Sequence, residues 1–202
     1  MAKLWSLPAT QLKPLDAGAL LLFALRNARR TARWLRDEDT ARCDELCVFV
    51  LASSRSEPGD AAAARKLVRL VSDASAIRVN AAQGDDEARA RASNYAASAL
   101  SAAVEAALAA ERPARVKAVI DGAKYCASLG ISLAHAGLVR ENATQGELVN
   151  FVGDCCWRQI HGDIAKVSAH KGPVTTVADV DAIAALWDEP WSWTAPPRET
   201  AR

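Results

Sequence analysis

An all-α fold, a compact bundle of about seven or eight helices with a Trp/Pro-rich C-terminal tail, is what this sequence predicts on three observations. Half of the residues are hydrophobic but only 5% are aromatic, so the core has to be built mainly from Ala, Leu and Val, side chains that suit close helix packing. Alanine, the strongest helix former, fills 12 of the 23 positions from Ala88 to Ala110. No segment alternates apolar and polar residues between hairpin-type turn signals, so a sheet has little support.

The helices follow in order. Pro14 and Asp16 offer a start, and Leu20, Leu21, Phe23, Leu25, Trp34 and Leu35 supply apolar positions for a helix from about residue 15 to 36. Asp37, Glu38 and Asp39 favour a new N-terminus, where negative charge meets the positive end of the helix dipole. From there Cys43, Leu46, Cys47 and Val50 keep the i, i+3, i+4, i+7 spacing of one buried face. Pro58-Gly59-Asp60 ends that helix and opens a third, marked by Leu67, Val68, Leu70, Val71 and Ala74 and running into the break at Gln83-Gly84-Asp85. Asp85, Asp86 and Glu87 then make the acidic first turn of the Ala-rich fourth helix. Pro113 fits the first turn of a fifth, which Val116, Val119, Ile120, Ala123, Cys126 and Ala127 continue to a C-terminal cap at Gly130. A short apolar segment, Ile131 to Val139, comes next.

Thr144 and Glu147 have capping-box spacing for a helix that Leu148, Phe151, Val152, Cys155 and Ile160 carry to about His170, before Gly172-Pro173 stops it. Thr176 and Asp179 open a last helix through Val180, Ile183, Ala184 and Trp187, ended by Pro190. Residues 1–190 therefore read as a single helical domain and 191–202 as an irregular tail.

The balance of 25 Lys and Arg against 24 Asp and Glu leaves no overall field to steer the chain onto a polyanion or a membrane. The longest apolar run, Ala17 to Leu25, falls far short of the roughly 20 residues of a spanning helix, and the basic stretch after it is unlike a signal cleavage site. A cytoplasmic protein is expected, with no membrane partner. Five cysteines at Cys43, Cys47, Cys126, Cys155 and Cys156, odd in number and set within helical patterns, point to reduced thiols.

Phosphate loops, nucleophile elbows, H-E-x-x-H and paired C-x-x-C motifs are all missing, which takes weight from the familiar hydrolase and nucleotide-binding classes. The cysteines with Asp154, His135, His161 and His170 would form a metal site only if several helices converged; buried Cys is a sufficient reading, and neither metal nor cofactor is expected. Asp154, Arg158 and His161 share a stripe at i, i+4 and i+7, as a catalytic pair would and as an ordinary solvated face does; the solvated face is the favoured reading.

Two features suit a partner surface. Arg26, Arg29, Arg30, Arg33 and Arg36 recur at spacings of three and four, a row fit for carboxylate or phosphate recognition, with salt bridges inside the molecule as the plainer account. Trp187, Trp191 and Trp193 crowd the last helix and tail. Tryptophan concentrates binding energy at interfaces, and equally it can plug the end of an Ala-rich bundle.

The Ala-rich segments Asn94 to Val104 and Val119 to Leu129 resemble all-helical immunity proteins of bacterial polymorphic toxin systems. That resemblance, over about a quarter of the chain, implies a non-enzymatic protein that binds and neutralises a cognate toxin; it carries over no residue-level motif. The expected function is thus a protein-interaction module using Arg26, Arg29, Arg30 and Arg33 or Trp187, Trp191 and Trp193. A nucleic-acid-associated regulator using the basic helix face is one alternative, and a metal-dependent or catalytic site around Asp154 and His161 another. A homodimer would bury the Ala-rich faces as well as a monomeric core would.

Overall fold

Three helices begin on side-chain caps that the sequence announces. In the computed structural model of the chain, which describes residues 6–183 apart from 33, 36, 58, 84 and 136–144, Asp16 Oδ1 accepts from the Ala19 amide at 2.8 Å and opens α1 (Ala17–Ala32). Asp60 accepts from the Ala62 and Ala63 amides, both at 2.9 Å, and opens α3 (Ala61–Ala81). Thr176 and Asp179 form a reciprocal box at the start of α7 (Val177–Ile183): the Asp179 amide donates to Thr176 Oγ1 at 3.2 Å, and Asp179 Oδ2 accepts from the Thr176 amide at 2.7 Å. The other helices are α2 (Asp37–Ser54), α4 (Asp85–Leu108), α5 (Arg112–His135) and α6 (Gln145–Ala169), preceded by a 3-10 turn at Ala9–Leu12. Among the described residues the chain is all-helical, as its pattern predicts, with no strand.

Those same caps make α7 acid-sensitive. Amide and hydroxyl donors from Thr175 and Thr176 hold the Asp179 carboxyl down from its ordinary 3.8 to about 2. A carboxyl depressed in the folded state contributes stability above its unfolded pKa and loses it as pH falls through the folded value. The first turn of α7 should therefore loosen between the two values. An NMR titration of the Thr175 and Thr176 amides tests this; amides that do not move below pH 4 would contradict the cap.

Two departures from the sequence reading have physical causes. The fifth helix does not stop at Gly130 but runs to His135, because Cys126, Leu129, Gly130 and Leu133 all lie on its buried face. Burial at four successive core positions outweighs the roughly 1 kcal/mol by which glycine weakens a helix interior. Residues 131–135 of the expected apolar segment thus belong to α5, and 136–139 lie outside the described residues. The first helix ends at Ala32 instead of 36: Trp34 and Leu35 follow in i→i+3 turns onto Thr31 and Ala32, and the turn still buries Leu35. Thr144, Ala184 and Trp187 lie outside the described residues, so the ends expected there are not compared.

The most extensive pairing is α4 with α5, where Ala92, Ala96, Ala99, Ala103 and Ala106 form a buried row on α4. On α5, Val119, Ala123 and Cys126 are buried as well. The backbones come so close that a methyl on Gly122 would sit 3.4 Å from the Ala102 Cβ. Arg115 ties the hairpin by donating to the carbonyls of Ala106 at 3.1 Å and Ala109 at 2.8 Å, which the C-terminal end of α4 leaves without helical partners. Helix α1 lies against α2, α4, α5, α6 and α7, and it is buried nearly all round, on its polar positions as well as its apolar ones.

Candidate functional site

Of the arginines expected to form a partner-binding row, Arg26 and Arg30 are buried and Arg29 is half-buried, each facing carboxylates of the same chain. Arg26 is 0% exposed and Arg30 3%. Arg30 pairs with Asp163 of α6, which is itself buried, and Arg26 lies 4.0 Å from both Asp163 and Asp181. Arg29, half-buried, grips Asp181 of α7 with two donors, Nε at 3.2 Å and Nη2 at 2.8 Å, and reaches Asp44 of α2 at 3.5 Å. Asn27 adds a neutral acceptor for Arg30 at 3.4 Å while donating to the Phe23 carbonyl at 3.2 Å. Arg33 lies outside the described residues.

Burial and the neighbouring Arg30 charge lower the Arg26 pKa to about 10, and Asp163 and Asp181 oppose that shift. Arg26 therefore remains a cation at neutral pH, inside the protein, because two carboxylates are there to meet it. The Asp181 hydrogen bonds raise the Arg29 pKa. Burial also pushes the Cys126 thiol, beside Arg30, up to about 11 and the Cys156 thiol well above its ordinary value. Neither is a nucleophile in that setting. This cluster is a structural joint linking α1 to α6 and α7.

The other expected positions are dispersed. Trp187, Trp191 and Trp193 lie outside the described residues. Asp154 and Arg158 are exposed on α6, whereas His161 is half-buried, with Nδ1 2.6 Å from Gln11 Oε1 and its ring 6.0 Å from that of Trp157. All five cysteines are free thiols, four of them buried and Cys155 half-buried. Among the described residues no three or more His, Cys, Asp or Glu side chains converge on one point, and no described helix is long and apolar enough to cross a membrane.

A surface that the sequence reading missed lies on α3. Leu70 is 43% exposed and Ile77 68%, seven residues apart and so on one side of the helix. Beside them Arg65, Lys66 and Arg69 are exposed and make no ion pair with any described residue, and they line a surface depression with Leu70 and Ala62. At its other edge α3 walls a trough of about 500 Å³, floored by Ser98, Ser101 and Ala102 of α4 and closed by Lys117 and Tyr125 of α5. The signal was present in the sequence: Leu67, Val68, Leu70, Val71 and Ile77 span more of the helix circumference than one buried face can use.

Compared with known protein families, with curated proteins and with solved structures, the chain matches none.

Proposed function

We propose that this chain is a non-enzymatic helical module, acting in the cytoplasm, that binds another protein along the outer face of α3 and the adjoining trough. The observation that carries this reading is the exposed pair Leu70 and Ile77 beside three cations with no ion-pair partner among the described residues. Apolar anchors at i and i+7 suit a partner helix, and the Ala and Ser floor of the trough lets a second backbone approach closely. Arg65, Lys66 and Arg69 favour an acidic partner. The finer form of the proposal, an immunity protein neutralising a toxin, draws on the resemblance of residues 94–104 and 119–129. Those segments pack against each other as the α4–α5 hairpin, so the likeness is one of scaffold, and recognition falls to α3.

Affinity purification of the tagged protein from its own host, with and without nuclease, is the test. A stoichiometric protein should survive nuclease, and Leu70→Glu combined with Ile77→Glu should weaken its retention tenfold or more. Exposed substitutions of this kind change stability by only about 0.5 kcal/mol, so the loss would report on binding. Retention that nuclease abolishes would assign the cationic face to nucleic acid instead, and retention unchanged by the double substitution would remove α3 as the surface.

A further inference from the structure

Cys43 and Cys47 stand one turn apart on the buried face of α2, 2% and 0% exposed, with their sulfurs 3.9 Å apart. Their spacing decides between three chemistries. A disulfide needs Cβ atoms about 3.5–4.5 Å apart, whereas residues at i and i+4 of a helix hold them about 5–6 Å apart, so oxidation would require α2 to unwind. A zinc or other four-ligand site needs further donors, and among the described residues no third His, Cys, Asp or Glu joins the pair. What two thiol sulfurs alone satisfy is a soft cation of low coordination number, for which thiolate is the preferred ligand.

We propose that Cys43 and Cys47 form a two-coordinate site for Cu(I). Taking the zinc–thiolate length of about 2.3 Å as a guide, sulfurs in line across a metal stand about 4.6 Å apart, so the pair opens by about 0.7 Å from its 3.9 Å separation. Binding exchanges protons for metal: both S–H bonds break, two Cu–S bonds form, both protons leave to solvent, and copper stays monovalent throughout. Arg29 stands near both thiols, whose charges act on it; its side chain is 24% exposed and that of its partner Asp44 61%.

The test is an anaerobic titration of the reduced, full-length protein with Cu(I) against a chromophoric Cu(I) chelator. The unmodified protein and Cys155→Ser should each withdraw one equivalent, and Cys43→Ser and Cys47→Ser less than a tenth of that. X-ray absorption of the copper-loaded unmodified protein gives a result that does not depend on either variant folding, and two sulfur neighbours with no nitrogen or oxygen are expected. No withdrawal by the unmodified protein, undiminished withdrawal by both variants, or a copper with three or more neighbours would overturn the assignment.

Discussion

Asp163→Ala should destabilise the protein by about 3–5 kcal/mol, the range for breaking a buried ion pair by removing one partner. The substitution leaves Arg26 and Arg30 buried against α6 without the carboxylate that faces both of them. Their mutual repulsion, which Asp163 offsets, is then met by the Asp181 carboxylate, 4.0 Å from Arg26. Urea denaturation should show the loss as a lower midpoint with little change in slope. Arg30→Met combined with Asp163→Leu should recover most of it, because well-packed apolar replacements of a buried pair are often neutral or better. A loss below about 1 kcal/mol for Asp163→Ala would mean that water reaches the cluster and that the joint between α1 and α6 rests on apolar contact.

Ala99→Leu should cost about 1–3 kcal/mol through overpacking. Ala99 is 0% exposed in the α4 row that meets α5, and its carbonyl lies 3.7 Å from where a Gly122 methyl would sit. Three further carbon atoms there would have to part the two helices, and with them the Arg115 caps at Ala106 and Ala109. Thermal unfolding compared with an exposed control, Ala62→Leu on α3, separates overpacking from a change of helix propensity. Equal melting temperatures would show that the α4–α5 contact is looser than its geometry implies.

The helices were legible in the sequence because their signals are local. Caps at Asp16, Asp60 and Thr176 and the buried spacing of Cys43, Leu46, Cys47 and Val50 each lie within eight residues of chain. The surroundings of the α1 arginines were not legible, for the opposite reason. Whether Arg26 and Arg30 face solvent or core depends on Asp163 and Asp181, more than 130 positions away, and a charged row at helical spacing is the same string in either case. Gly130 shows the converse error, in which a residue that commonly ends helices was overruled by buried neighbours on its own face. The α3 surface went unseen because apolar residues on a helix were taken as core, a rule that runs in one direction only.

The separation between Arg30 and Asp163, 133 positions, also sets a timetable. Chains are synthesised at about 5–20 residues per second, so α1 emerges roughly 7 to 27 seconds before the carboxylate that neutralises it. Early in that interval a helix rich in leucine and arginine has none of its neighbours from α4 onward, and to the end of it the carboxylates of α6 and α7 are missing. The newborn chain thus passes through a stage at which its innermost helix is its most adhesive part, and a chaperone that engages apolar, basic segments would find its binding site there and lose it once α6 arrives.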